Sequence, residues 1–164
     1  MILVKKLRED AKVPQKAYDS DAGFDLFACE DVDFNEYLDK NGESEICRLL
    51  RPLERHLFKT GIAIQYQKDP SLKHNFFAEV RDKSGLSVKN GLHVLAGIID
   101  EGYTGEIQVC LINLGEEPVK IKAGQKIAQL IIHKIPIFTN SDVELVEDFE
   151  ETGRGSDGFG STGI

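Results

Sequence analysis

The apolar residues of this chain fall in short runs that turn residues keep interrupting, and this spacing constrains its fold more than any other feature. The runs are Ile2–Leu7, Phe24–Ala28, Phe58–Ile64, Phe76–Val80, Gly91–Leu95, Ile107–Asn113, Val119–Ile121 and Ile127–Ile135, separated by Gly, Pro, Asn and Asp. Helical periodicity is almost absent, and short, partly alternating runs between turn signals read as strands. The one exception is Ser84 to Lys89, which reads as a helical turn opened by a serine placed to cap it. The expected fold is all-β, a sandwich or barrel with one short helix. At 164 residues the chain is long enough for one domain with a core of its own.

Charge and composition narrow the function. Lys plus Arg is 20 and Asp plus Glu is 28, a formal charge of −8 with no basic cluster. That excludes a sequence-independent nucleic-acid binder, which needs a basic face. The longest apolar stretch, Leu130 to Phe138, is broken by His133, Lys134 and Pro136 and falls short of the roughly 20 residues of a membrane helix. Met1 to Lys6 places its charges after a very short apolar run, the wrong order for a secretory signal, so an intracellular protein is expected. Cys29, Cys47 and Cys110 have no close spacing and suggest neither a disulfide framework nor a zinc site.

Two acidic segments and the C-terminus depart from the strand rhythm. Residues 30 to 45 hold seven acidic side chains against one lysine and read as a solvated surface insertion, whose ordinary meaning is solubility. Ser141 to Glu151 holds six more and reads as a linker, although Val143 to Leu145 could open a last strand. Five of the 15 glycines lie in the last 12 residues, from Gly153 to Ile164. Such a terminus is costly to order alone, so it is either a disordered tail or a flap that orders on a ligand. Its lone Arg154 and lone Phe159, among glycines and hydroxyls, suit a polyphosphate joined to a ring.

Further candidate groups lie in the body of the chain. Asp100 follows Gly97-Ile98-Ile99 and precedes Glu101-Gly102-Tyr103, so it stands at the end of a strand. It is an ordinary turn aspartate or a carboxylate that holds and deprotonates a water. Tyr103 is a core ring or a pocket wall. Asp19, Asp21 and Asp25 lack the spacing of a calcium loop, and the alternation of Phe24-Asp25-Leu26-Phe27 turns Asp25 away from the apolar face. Arg81-Asp82-Lys83-Ser84-Gly85 places cations and a hydroxyl at a helix start, as an anion site or a salt-bridged turn. Gln129 interrupts an apolar strand, as a satisfied core amide or a ligand contact.

Together and in this order, five segments resemble the motifs of the homotrimeric dUTPase family. They are Asp21-Ala22-Gly23-Phe24-Asp25-Leu26, Lys83-Ser84-Gly85-Leu86, Gly97-Ile98-Ile99-Asp100 through Glu106, Gly124 through Leu130, and Arg154 through Gly163. The resemblance implies a β jelly-roll trimer with active sites at subunit interfaces. It also implies the conversion of dUTP and water to dUMP and pyrophosphate with Mg²⁺, which limits uracil in DNA and supplies dUMP for thymidylate. On this resemblance Asp100 activates the water and Asp25 holds the metal largely through water. Tyr103 packs on deoxyribose, while Ser84, Gly85, Gln129 and Arg154 contact phosphate. Phe159 covers uracil, Gly160 lies beside it in the tail, and Ser161 and Thr162 reach the γ-phosphate. Uracil is read by the backbone of a hairpin between Val94 and Asp100, including Gly97 and Ile99.

This sequence departs from the family pattern at Lys83, where arginine is usual, with Arg81 two residues earlier as a candidate substitute; both remain candidate phosphate ligands. Thr104 and Asp157 depart as well. The implied organisation is a jelly-roll domain over 1–140, an acidic linker over 141–152 and a glycine-rich flap over 153–164. The related dCTP deaminase is disfavoured by the context of Asp100 and by the fifth motif. A regulatory reading, in which the acidic insertion binds a protein partner, rests on that insertion alone.

Overall fold

The alternation along β10 (Gln108–Asn113) shows how these runs build a core: Val109, Leu111 and Asn113 turn inward, and the residues between them do not. A computed structural model describes residues 1–38, 40–67, 71 and 74–156. Strand β10 lies between β5 (Arg55–Lys59) and β8 (Leu92–Leu95). Strand β1 (Ile2–Lys6) pairs with β6 (Ile62–Tyr66), and β4 (Ser44–Leu50) lies between β11 (Val119–Lys122) and β3 (Asn35–Leu38). The fourth sheet runs β2 (Phe24–Phe27), β12 (Lys126–Ile135), β7 (Asn75–Asp82) and β9 (Ile98–Asp100).

All four sheets feed one hydrophobic cluster, with Leu26, Leu50, Phe58, Ile62, Leu92, Leu111, Ile121 and Leu130 almost fully buried. The all-β expectation holds, and the arrangement fits a jelly-roll-like fold. The described sheets are open ones and do not form the closed barrel that was the alternative. Among the described residues no helix is long and apolar enough to cross a membrane.

Four local expectations are corrected. The run Phe58–Ile64 is two strands, β5 and β6, broken at Thr60-Gly61, where Thr60 donates its hydroxyl to the Ile107 carbonyl. The acidic stretch 30–45 contributes β3 and the start of β4, with Phe34 buried beneath them. Glu45 forms ion pairs with Lys120, at 2.7 Å, and with Lys122 on the adjoining β11, so that part of the segment belongs to a sheet. The helix, α1 (Ser84–Asn90), is capped by Lys83 without a side-chain hydrogen bond, so Ser84 is its first residue and not its cap. Val143 to Leu145 is no strand; it follows a 3₁₀ turn over Asn140–Asp142 and is exposed.

Gly91 ends α1 at φ 69°, and a Cβ there would lie 2.5 Å from the Gly115 amide nitrogen. Only glycine fits that approach. Buried Asn113 spans the same region. Its amide donates to the carbonyls of Leu50 and Glu117 at 3.0 and 2.8 Å, and its oxygen accepts the Gly115 N–H at 2.9 Å. Asn113→Ala strands the buried Leu50 carbonyl and takes the partner from the part-buried Glu117 carbonyl and Gly115 N–H, and is expected to cost about 3 kcal/mol, read as the loss of unfolding free energy in urea. A loss near zero would show that the amide is dispensable.

Candidate active site

The fourth sheet has one apolar face and one chemical face. Leu26, Ala128, Leu130, Val80 and Ala78 point into the core. The intervening residues Asp25, Gln129 and Arg81 form one cross-strand row, and His133, Phe77 and Asp100 form another. The period of two in strands puts both rows on the same outer face.

Asp25 points away from the apolar core as expected, yet it is only 3% exposed because two lysines cover it. Lys126 Nζ lies 2.7 Å from one carboxylate oxygen, and Lys83 Nζ bonds the other. Burial pushes the Asp25 carboxyl upward, but the hydrogen bonds from Lys126 and Lys83 prevail and hold it below the ordinary carboxylate value. Arg81 stands in the same row, but its guanidinium turns to Glu79, at 3.3 Å. Gln129 donates from Nε2 to the Asp82 carbonyl at 2.9 Å, so at least one of its two donors is already satisfied within the fold. Ser84 and Gly85 are exposed in the first turn of α1.

No three His, Cys, Asp or Glu side chains among the described residues assemble as a metal cage. Asp25 alone, with both oxygens on lysines, does not suit direct coordination of a divalent ion. The spare lone pairs of its oxygens can still accept water O–H groups. The donor set therefore fits an ion whose own ligands are phosphate oxygens and water, with Asp25 touching only the water.

The segment from Val94 to Asp100 is a corner between sheets and not the expected hairpin. Strand β8 pairs with β10 and β9 pairs with β7; no ladder joins β8 to β9. The end of β7 takes up the hydrogen bonds that a hairpin would use internally. The Val80 N–H donates to the Gly97 carbonyl at 2.7 Å, and the Val94 N–H donates to the Asp82 carboxylate at 2.6 Å. Ala96 and Gly97 turn the corner at φ 63° and 111°. A Cβ on Gly97 would lie 2.7 Å from the Val80 carbonyl oxygen, so the close approach to β7 requires glycine.

Beyond the corner, Asp100 is exposed at the end of β9 and lines an open hollow of about 480 Å³ with Ile98, Ile99, Tyr103, Glu106 and Gln108. Tyr103 is 47% exposed, which makes it a wall of this hollow and not a core ring. Its N–H donates to the Asp100 carbonyl at 3.0 Å and its hydroxyl to the Glu106 carbonyl at 3.0 Å, so the ring is held across the turn that follows the carboxylate.

The candidates thus form two groups. Asp25, Lys83, Ser84, Gly85 and Gln129 gather at one end of β7, with Arg81 beside them. Asp100, Ile99 and Tyr103 gather at the other. The Gln129–Arg81 pair and the Phe77–Asp100 pair are four residues apart along β7, about 13 Å at roughly 3.3 Å per residue. Val94 and Gly97 lie between them on the corner. Arg154 is exposed beside a turn in which the Gly155 N–H donates to the Thr152 carbonyl at 3.0 Å. Phe159, Gly160, Ser161 and Thr162 lie outside the described residues. Sequence reasoning missed Lys126, whose only signal is a cation after the Gly124-Gln125 turn. It also passed over Asp82, which stands between two cations.

A family model described as dUTPase matches residues 9–163. The deoxyuridine 5'-triphosphate nucleotidohydrolase of Clostridium novyi is 44% identical over 165 residues, covering 99% of both chains. Among solved structures, the Staphylococcus bacteriophage 80alpha dUTPase with dUPNHPP is similar at a TM-score of 0.77 and 26% identity, covering 100% of this chain and 99% of that one. A mutant dUTPase from phage phi11 of S. aureus, described as coordinating a structural Mg(II) ion, shares the fold at a TM-score of 0.68 and 24% identity, covering 92% of this chain and 99% of that one.

The Asp25 cluster makes an acid-side prediction. A carboxyl held low in the folded chain adds stability above its unfolded value of about 3.9 and loses it as pH falls through the folded value. Asp25→Asn is therefore expected to be less stable than the parent at neutral pH, with the gap closing below about pH 4, measured as urea midpoints across that range. A gap that widens toward acid would contradict the assignment.

Proposed function

The chain belongs to the dUTPase family, whose reaction is the hydrolysis of dUTP to dUMP and pyrophosphate, and we propose that its two groups of residues perform that reaction in sites shared between chains. The observation that carries the proposal is the placement of Asp100, exposed in a hollow beside Tyr103 and about 13 Å along β7 from the lysine and helix-start cluster. A nucleotide held by both groups at short range calls for a second chain to supply one of them. This supports a homotrimer with interfacial sites.

Asp100 holds the attacking water by hydrogen bonding and takes its proton as oxygen bonds to the α-phosphorus and the bond to the pyrophosphate oxygen breaks. Tyr103, fixed across the turn, presents a ring to deoxyribose and leaves no room for a 2′-hydroxyl. Ser84, Gly85 and Gln129 supply N–H and O–H donors to phosphate, and Lys83 supplies positive charge with Lys126 beside it. Lys83 fits this role better than Arg81, because Lys83 and Lys126 together outweigh the one carboxylate of Asp25, whereas Arg81 is matched one to one by Glu79. Mg²⁺ bound to the triphosphate, and held through its water by Asp25, would offset phosphate charge. Backbone groups between Val94 and Asp100 read the base. The tail brings Arg154 to phosphate and, beyond the described residues, Phe159, Gly160, Ser161 and Thr162 to the base and the γ-phosphate. The division into a domain over 1–140, a linker over 141–152 and a flap over 153–164 follows from these roles.

Pyrophosphate release measured with dUTP, dCTP, dTTP and UTP is expected with dUTP alone, and Asp100→Asn should lower kcat by about 10²- to 10⁴-fold. Ammonia release from dCTP, or an Asp100→Asn enzyme of undiminished rate, would overturn the assignment. Truncation after Thr152 should leave the assembly intact in sedimentation and strongly reduce turnover. Full activity without the tail would make it a disordered terminus.

A further inference from the structure

Tyr103 walls the Asp100 hollow, and the turn after Asp100 is folded around its ring. Its N–H donates to the Asp100 carbonyl at 3.0 Å, at the start of the turn, and its hydroxyl donates to the Glu106 carbonyl at 3.0 Å, at the end. Between these bonds the phenol end of the ring lies directly on Gly105, where a Cβ would stand 2.6 Å from the hydroxyl oxygen and 2.7 Å from Cζ. The ring thus takes the space that a side chain at 105 would fill. The carbonyl that accepts the hydroxyl is itself held from another part of the fold. Because β5 and β6 part at Thr60-Gly61, the Gly61 N–H belongs to no ladder, and it donates to the Glu106 carboxylate at 2.8 Å. The next residue is tied to the same break twice, by the Ile107 N–H to the Ile62 carbonyl at 2.8 Å and by the Thr60 hydroxyl to the Ile107 carbonyl.

On the reading that Tyr103 packs on the deoxyribose of dUTP, we infer that Gly105 and Glu106 are positioning residues for sugar specificity. Gly105 leaves the ring its seat on the turn, and Glu106 fixes the carbonyl that holds the hydroxyl. A ribose differs from a deoxyribose by one oxygen at C2′, and an apolar ring face rejects it only while the ring stands at contact and cannot recede. A misplacement of about 1 Å is enough to lose such a contact. Tyr103 is half-exposed and stands outside the hydrophobic core, so the core does not supply that resistance. The bond to Glu106 and the seat on Gly105 supply it, and a ring released from them yields to a 2′-hydroxyl.

The test measures kcat/KM for dUTP and for UTP in Gly105→Ala, Glu106→Ala and Glu106→Gln. The Gly105 backbone has no positive φ, and the atoms an alanine methyl meets are the far end of a side chain that can swing outward, so this variant folds with its ring displaced and its hydroxyl bond broken. Gly105→Ala should lower the ratio of dUTP over UTP by about tenfold or more. Glutamine keeps an oxygen for the Gly61 N–H and alanine does not, so Glu106→Ala should lower the ratio by about fivefold while Glu106→Gln stays within about twofold of the parent. A general loss of integrity lowers both substrates alike and leaves the ratio unmoved. A parental ratio in Gly105→Ala would overturn the inference for the turn, and a ratio in Glu106→Ala no lower than in Glu106→Gln would overturn it for the Gly61 bond. NMR provides an arm that needs no turnover: the ring protons of Tyr103 should show a strong nuclear Overhauser effect to Hα of Gly105 in the parent. Its absence there would sink the inference even if the variants failed to fold. A parent without dUTP turnover would instead refute the proposed function, leaving the seat of the ring to be judged by NMR alone.

Discussion

Strand β7 is the element on which the described part of the site depends, because its two ladders set Asp25, Gln129 and Asp100 in fixed places along one line. Pairing with β12 brings Gln129 to Arg81, and through β12 it brings Asp25 into the same row. Pairing with β9 brings Asp100 to Phe77. A one-residue slip in either ladder would send these polar side chains into the core and the core residues to the surface. The buried partners Val80, Ala78 and Leu130 thereby hold the register. The same rigidity keeps Asp100 away from the lysine and helix-start cluster of its own chain, which is the physical reason for proposing sites completed by a neighbour.

Charge gives the second constraint. A chain of net charge −8 must accept a substrate with about four negative charges, so its cations have to be placed locally. Asp25 is the organising group. It is buried, and its two lysines are each about a third or more exposed, so their aliphatic stems cover the carboxylate while their charges stay near solvent. The cluster Asp25, Lys83 and Lys126 carries one net positive charge next to the exposed first turn of α1. That arrangement favours an incoming anion and opposes a bare divalent ion on Asp25. It agrees with an ion that arrives on the nucleotide.

Much of this was legible in the order of residues, for local reasons. Strand runs bounded by turns announced an all-β fold, and the position of Asp100 after two apolar residues announced a carboxylate at a strand end. The short helix was read within one residue of its end. What escaped depended on contacts between distant segments. The hairpin β3 and β4 hid behind its acidic residues because Glu45 is neutralised by lysines on β11, far along the chain. Asp25 could be read only as turned away from the apolar face, because the lysines that bury it come from two other motifs. The corner at Ala96-Gly97 read as a hairpin because spacing cannot reveal that β7 would take the hydrogen bonds of β8 and β9. Asp82 carried no signal of its own, since a carboxylate between two cations ordinarily means a surface ion pair.

The shared site is tested most directly by mixing two disabled chains. One carries Asp100→Asn, and the other carries Lys83→Ala with Ser84→Ala; each is purified, shown to be inactive alone and refolded with the other. If Asp100 of one chain works with the phosphate-binding cluster of another, mixed assemblies contain some sites with both groups intact, and dUTP hydrolysis returns to a sizeable fraction of the parental rate. If each chain builds a whole site from its own residues, every site in the mixture carries a defect. Activity that stays at the level of the separate variants would contradict the account.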